Sequence, residues 1–129
     1  MMYDARVTIR FQDLEYFTTS DIDAAIERND PLELQLVSVT VVLACPDQAV
    51  AQDVCLRLSR HAHSRVRGNA VMSFGHLARR FRRLDEQIVK PVIESSLNDQ
   101  DEYVRMRAKS AADEIHQFLG WSIAGHVYG

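Results

Sequence analysis

His61 and His63, together with Cys45 and Cys55, are the residues whose types and spacing come closest to a chemical site. Two imidazoles one residue apart could reach a single metal ion, but no nearby acid or cysteine completes a ligand set, so a solvated pair in a turn is favoured. Each cysteine lies in an apolar run rather than in a Cys-x-x-Cys or Cys/His cluster. Two buried, reduced thiols are therefore favoured over a disulfide.

The motifs of the common enzyme classes are missing from the sequence. It has no Gly-rich phosphate loop, no H-E-x-x-H and no G-x-S-x-G. Its paired acids, Asp85-Glu86 and Asp113-Glu114, fall at helix starts or on outer helix faces, where the helix dipole and solvation explain them. We therefore expect a protein that is not an enzyme and that has no catalytic residue, metal or cofactor.

The charged residues are segregated along the chain, although the formal net charge is only −3. Residues 1–53 carry ten acids and three bases, residues 54–83 carry eight arginines and no acid, and residues 84–129 carry eight acids and four bases. The basic stripe Arg57–Arg83 could bind nucleic acid, and about six phosphate contacts would make such binding steeply salt-dependent. The acidic flanks and the near absence of aromatic residues among the arginines argue against that alternative. A protein partner is favoured, because arginine is enriched at interfaces and segregated charge orients association.

Apolar spacing predicts helix almost throughout the chain. Asp30-Pro31 is typical of a helix start and Gly120 of a helix end. The run from Leu32 to Ala44 is rich in β-branched residues and could form a strand, but its length and flanking signals favour a buried helix. Only Arg6–Phe11 alternates with a period of two, as in a short strand or an extended arm. Further helices are predicted at 20–29, 48–60, 64–80, 85–97 with a kink at Pro91, and 101–119.

One sequence pattern recurs at an interval of 38 residues. The segment Val66-Arg-Gly-Asn-Ala70 returns as Val104-Arg-Met-Arg-Ala108. A fainter copy begins at Asp30, shifted by 32 residues, with Ser38 at the position of the small alanine. Each clear copy follows a helix and a short polar turn. The repeating unit is therefore a helix pair, which must stack on its neighbours because it cannot bury its apolar face alone.

A helix, an Asp-containing turn and V-R-x-x-A at the start of a second helix resemble the HEAT repeat family of α-solenoids. Pro91 in a first helix, the alanines of the last helix and Ser-Phe-Gly75-His-Leu77 also match that family's pattern. The resemblance covers residues 20–119 and implies an all-α fold, a short right-handed α-solenoid of about three helix pairs. Gln35 departs from the pattern at the arginine position, so we expect the first pair to be a divergent cap. The expected single domain, 1–129, comprises an N-terminal extension or cap (1–19), the pairs 20–45, 47–80 and 85–119, and a tail (120–129).

The resemblance also implies roles for particular residues. Arg67 and Arg105 are expected to pair with the turn aspartates Asp99 or Asp101 rather than to contact a ligand. Because HEAT proteins are above all binding scaffolds, the inner surface of the second helices is expected to bind a protein. Together with the arginine cluster at the end of the predicted helix 64–80 and in its turn, the residues assigned to partner binding are Asn69, Met72, His76, Arg79, Arg80, Arg82, Arg83, Arg107 and Glu114. An alternative acidic surface comprises Asp21, Asp23, Glu27, Asp30 and Glu33.

In scale and character the chain is similar to the small immunity proteins that neutralise a cognate bacterial toxin. That resemblance implies a non-catalytic binder, monomeric before binding, that blocks the active site of a toxin domain such as a nuclease. The nucleic-acid binder described above and an accessory subunit or lyase of the HEAT type are the alternatives.

The N-terminus lacks the basic-then-apolar order of a secretory signal. The longest apolar stretch, Leu34 to Cys45, is shorter than the roughly 20 residues that span a bilayer. Together with reduced thiols, these features predict a cytoplasmic protein without a membrane association.

Overall fold

The computed structural model describes residues 19–128, with side chains from Ser20 onward. The expected N-terminal extension and the possible strand at Arg6–Phe11 therefore lie outside the described residues. Over the described range the chain is all-α, with six helices and no strand. The helices are α1 (Thr19–Arg28), α2 (Pro31–Ala44), α3 (Gln48–Leu58), α4 (Ser64–Phe81), α5 (Glu86–Ser96) and α6 (Glu102–Leu119).

All six predicted helices are present, and the β-branched run from Leu32 to Ala44 is helical as favoured. The prediction of helix 48–60 is two residues too long, because α3 ends at Leu58 and its last carbonyls bond to the N–H groups of the following turn. None of the helices within residues 19–128 combines the length and the apolar character needed to cross a bilayer.

Side chains placed just before five of the helices determine where these helices begin. Each accepts a hydrogen bond from the backbone N–H two residues further on, which satisfies a donor that has no partner within the helix. Pro31 occupies the first position of α2, where a missing N–H has no effect. The capping residues are Asp30, Asp47, His63, Asp85 and Asp101.

The sequence repeat is also a repeat of hydrogen bonds. Arg67 donates to the carbonyl of His61 at 3.0 Å, and 38 residues later Arg105 donates to the carbonyl of Asp99 at 2.7 Å. Within the turns, the N–H of His63 bonds to His61 Nδ1, and the N–H of Asp101 bonds to Asp99 Oδ1 in the same way. The two turns that precede α4 and α6 therefore share one local design.

Arg67 also bridges these two turns. Its Nε and Nη2 bond to the two carboxylate oxygens of Asp99 at 2.8 and 2.9 Å, which confirms the predicted pairing. The bidentate bond holds the pKa of Asp99 below its usual value, an effect that burial opposes and the backbone N–H of Asp101 reinforces. Arg105 differs from the prediction, since it reaches the Asp99 carbonyl rather than a carboxylate.

Helix α4 lies at the centre of the fold and packs against α2, α3, α5 and most extensively α6. Two glycines of α4 face α6 directly. A Cβ atom at Gly68 would lie 2.7 Å from the ring of Tyr103, and one at Gly75 would lie 3.2 Å from the Cα of Ala111. The α4–α6 distance is therefore set by the absence of side chains at these two positions.

The C-terminal tail is packed against the helices. Trp121 and Ile123 are buried and belong to the same apolar cluster as the helix cores. The N–H of Ala124 bonds to Glu94 of α5 at 2.9 Å, and His126 lies 2.7 Å from Asp113 of α6. The tail thus extends the hydrophobic core beyond the last helix.

Replacing Tyr128 with phenylalanine is expected to lower the free energy of unfolding by about 1 kcal/mol. The Tyr128 hydroxyl accepts the N–H of Ile123 at 3.0 Å, and the substitution leaves that part-buried donor without a partner. Urea unfolding followed by circular dichroism measures the change. Val127→Ala, at an 87% exposed tail position, is the control and should be neutral. Equal stability of Tyr128→Phe and the unsubstituted protein would contradict an ordered tail.

Candidate functional site

A groove of about 270 Å³ lies between α2 and α4. Val39, Val42 and Leu43 form its α2 wall. On α4, side chains spaced three, four and three residues apart share one helix face and form the other wall. These are Asn69, Met72, His76 and Arg79, four of the residues assigned to partner binding from the sequence.

Two other assigned residues reach this wall from α6. Glu114 lies 3.3 Å from Arg79 and 3.2 Å from His76 Nδ1, and Arg107 donates to the sulfur of Met72 at 3.4 Å. The structure therefore brings six of the nine assigned residues together. The interpretation of Glu114 as a solvated outer-face acid is wrong, because it is half-buried between two helices and paired with basic side chains of α4.

Two polar atoms at the groove find no hydrogen-bond partner among the described residues. Ser38 Oγ belongs to a side chain that is only 1% exposed, and His76 Nδ1 is close to Glu114 but outside hydrogen-bond geometry. Buried polar atoms are normally bonded, since leaving one unpaired costs about 1–3 kcal/mol. A ligand group entering the groove could satisfy Ser38, which sequence reasoning treated only as a substitute for alanine.

The other three residues assigned to partner binding do not line the groove. Arg80 donates to the carbonyls of Val42 at 3.2 Å and Val41 at 3.5 Å, so it caps the end of α2. Arg82 closes α4 in a left-handed conformation, donates to the Arg79 carbonyl and lies over a ring of α6. Arg83 is exposed. Two of these three arginines therefore stabilise helix ends.

Two further arginines of the predicted basic stripe, Arg57 and Arg65, have local partners. Arg57 bonds to Asp23 at 3.2 Å and lies 4.0 Å from Asp53. Arg65 lies over the ring of Tyr103, with 4.3 Å from its guanidinium carbon to the ring centroid. These arginines thus have local partners, although every arginine of the stripe except Arg67 remains exposed.

One of the five residues assigned to the alternative acidic surface does not lie on a surface. Glu33 is completely buried, so its assignment to a surface is wrong. Arg28 explains the burial, because its Nε and Nη2 bond to the two Glu33 carboxylate oxygens at 2.9 and 2.6 Å, and this bond raises the pKa of Arg28. Asp23 bonds to Arg57, and Asp30 caps α2. Asp21 and Glu27 are exposed on α1.

His61 and His63 lie in the turn before α4, where their rings form hydrogen bonds. Both ring nitrogens of His61 are engaged, Nδ1 by the N–H of His63 and Nε2 by Asn29 Oδ1 at 2.6 Å. Burial, then the nearby charges of His63 and Arg67, lower the pKa of His61. No group of three or more His, Cys, Asp or Glu side chains suited to a metal ion occurs in the part of the chain that the structure describes.

Both cysteines are buried free thiols, as predicted. Burial, with a smaller contribution from the neighbouring Cys45, raises the pKa of Cys55 to about 12. The thiolate is the nucleophilic form of cysteine, so Cys55 is unreactive near neutral pH.

One side of α2 is exposed, although the sequence predicted that this helix is buried. Four of its apolar side chains are between 37% and 60% exposed, namely Leu32, Leu36, Val39 and Leu43. Their spacing of four, three and four residues was visible in the sequence, but α2 is apolar on almost every face, so periodicity alone could not identify the exposed one. We call these four residues the α2 stripe.

Comparison of the chain with protein-family models, with curated proteins and with solved structures finds no match.

Proposed function

We propose that this chain is a non-catalytic protein-binding module, a short right-handed α-solenoid of three HEAT-like helix pairs. The hydrogen bonds that recur from the turn before α4 to the turn before α6 support this interpretation of the architecture. The pairing of Arg67 with Asp99 supports it further, because the bond joins equivalent turns of successive pairs. The most extensive contacts join the second helices of successive pairs (α2 with α4, and α4 with α6), and contacts also join the two helices of each pair, as expected of a stack.

The groove between α2 and α4 is the observation that carries the proposed function. It combines an apolar wall with polar groups from α4 and includes the unpartnered Ser38 hydroxyl, the combination typical of binding sites. Met72 is a flexible apolar side chain suited to contact with a partner. Arg79, which is paired with Glu114, adds a charged group to the lining of the groove. We propose that a side chain of the partner enters this groove.

The state of the arginines favours a protein over nucleic acid as the partner. A nucleic-acid surface needs several cations directed at phosphates, and binding strength rises with their number. Here Arg57, Arg67 and Arg79 are paired with carboxylates, and Arg80 is bonded to backbone carbonyls. Too few arginines remain available for a phosphate-binding track.

In its most specific form, the proposal is that the partner is a bacterial toxin domain and that this chain is its immunity protein. The similarity in size and character to such proteins supports this form, with a nuclease domain as the first candidate. The proposal includes a cytoplasmic location, where Cys45 and Cys55 would stay reduced.

Co-expression with the products of neighbouring genes, followed by affinity purification and mass spectrometry, tests the proposed function. A single protein should co-purify in a stoichiometric complex, and toxicity of that protein, relieved by this chain, would support the immunity role. Recovery of nucleic acid without a protein partner would contradict the proposal.

Met72→Glu is expected to weaken the complex at least about 30-fold, which corresponds to about 2 kcal/mol at a buried interface centre. Calorimetric titration measures the change. Ile88→Glu is the matched control, because Ile88 is 47% exposed on α5 and lies outside the groove. Equal weakening by both variants, or none by Met72→Glu, would place the partner on another surface.

A further inference from the structure

The α2 stripe (Leu32, Leu36, Val39 and Leu43) is a continuous apolar seam on the outside of the fold. Spacing of four, three and four residues is the pattern by which one helix packs lengthwise against another. With 14 residues, α2 is about 21 Å long, and the stripe from Leu32 to Leu43 spans about three helical turns. Contiguous exposed apolar surface of this kind marks an interaction site.

The repeat explains why the seam is open. Under the 32-residue shift, Leu36 and Leu43 of α2 correspond to Gly68 and Gly75 of α4. The glycines let α6 close directly onto α4, whereas leucines at the equivalent positions are too large for such an approach. The contact between α2 and α4 is accordingly less extensive than that between α4 and α6. The leucines are left for a different helix to cover.

We propose that this helix is α2 of a second copy of the chain, packed antiparallel across a two-fold axis. A seam whose residues pair as 32 with 43 and 36 with 39 is self-complementary under that symmetry. Leu32 of one copy then lies opposite Leu43 of the other, and Leu36 lies opposite Val39. Antiparallel packing also opposes the two helix dipoles favourably.

The charges at the two ends of α2 support this orientation. The exposed Glu27 lies in the last turn of α1, next to the start of α2, where the charge of Arg28 is compensated by Glu33. At the other end, Arg79 is paired with Glu114 just as Arg28 is paired with Glu33, but Arg80 bonds to the neutral last carbonyls of α2 and keeps its positive charge there. An antiparallel pair brings the acidic end of each copy to the basic end of the other. A parallel pair would bring like charges together.

This inference goes beyond the proposed function and revises the expectation of a monomer before binding. Val39 and Leu43 belong both to the α2 stripe and to the groove. A partner that fills the groove therefore competes with the second copy. The free protein is expected to be a dimer, and its complex is expected to contain one chain of each protein.

Sedimentation equilibrium of the full chain from low micromolar to millimolar concentration tests the proposal. The apparent mass should rise from 14.7 kDa towards twice that value. Leu36→Glu should abolish the rise, because it places a charge in the middle of the seam. Met106→Glu is the matched control, since Met106 occupies the equivalent position of α6, is 59% exposed and should leave the dimer unchanged. Circular dichroism checks that both variants fold, and Leu43→Lys provides a second seam variant.

Oxidative cross-linking tests the orientation. An oxidised mixture of Leu32→Cys and Leu43→Cys chains should form a covalent dimer, whereas Leu32→Cys alone should not. Efficient cross-linking of Leu32→Cys alone would overturn the antiparallel arrangement.

A monomer at every concentration, or a dimer that persists in both seam variants, would overturn the proposal. A monomer that dimerises only after deletion of residues 1–18 would overturn it as well and would assign the cover of the stripe to the chain's own N-terminal residues. None of these results depends on a toxin or other partner, so the dimer and the proposed function can fail separately.

Discussion

Replacing Arg67 with alanine is expected to lower the free energy of unfolding by about 3 kcal/mol, close to what removal of one partner of a buried ion pair costs. The guanidinium and the Asp99 carboxylate are only 15% and 16% exposed. Without Arg67, the largely desolvated carboxylate keeps the N–H of Asp101 but loses its cation, and the carbonyls of His61 and Ala62 lose their shared donor. Urea denaturation at neutral pH, followed by circular dichroism, measures the loss.

Arg105→Ala is the matched control for this prediction. Arg105 stands 38 residues later in the repeat but donates only to the Asp99 carbonyl, so its removal should cost about 1 kcal/mol. In the double variant Arg67→Ala/Asp99→Ala, the free energy of unfolding should fall by less than the sum of the falls in the two single variants. Each single change already removes the same bond. Fully additive losses would show that the turn-to-turn pair does not couple the two helix pairs.

The ion pair between Arg67 and Asp99 also predicts how the stability of the protein depends on pH. The pKa of Asp99 is lower in the folded protein than its ordinary value of 3.8, so the unfolded chain binds the proton more readily. The stabilisation by Asp99 is therefore complete above pH 3.8 and is lost as the pH falls from there through the folded-state pKa. Arg67→Ala should remove most of this acid sensitivity.

Replacing Gly68 with alanine is expected to destabilise the protein by about 2 kcal/mol, within the range for overpacking a close contact. Alanine is the better helix former by about 1 kcal/mol, which acts in the opposite direction. The steric overlap is expected to outweigh the gain in helix propensity, because the new methyl group would lie 2.7 Å from two ring carbons of Tyr103. That ring cannot move aside easily, since its hydroxyl bonds to Asn69 and the guanidinium groups of Arg65 and Arg107 lie over it.

Thermal and urea unfolding of Gly68→Ala measure the net effect. The discriminating control is the same substitution in a Tyr103→Leu background, where a smaller and more flexible side chain can yield. There Gly68→Ala should be neutral or stabilising. If Gly68→Ala stabilises the protein even with Tyr103 present, then α4 and α6 do not depend on a bare backbone at this position.

Features governed by local chemistry could be predicted from the sequence. Asp30-Pro31 and Gly120 mark helix ends through hydrogen bonds and backbone conformations that involve only a few neighbouring residues. The pairing of Arg67 with a turn aspartate, Asp99 or Asp101, was expected from the resemblance to HEAT repeats, and the structure shows it with Asp99. The resemblance assigned Asn69, Met72 and His76 to an inner surface, and the arginine cluster supplied Arg79; their spacing on one helix face explains why all four line the groove.

Features that depend on which surfaces meet could not be predicted. Glu33 resembles any first-turn acid in the sequence, and only the fold directs it inward to Arg28. The burial of Trp121 required knowledge of where the chain turns after α6. The α2 stripe was missed because a helix that is apolar all round does not show which side its neighbours leave uncovered.

The two glycines that close α4 onto α6 have a mechanical consequence. At these glycines the backbone of α4 lies directly against Tyr103 and Ala111 of α6, whereas α2 meets α4 across a groove. We therefore expect the contact between α4 and α6 to resist deformation more than the contact between α2 and α4. When another molecule binds, we expect α2 to shift its position more readily than α4 and α6.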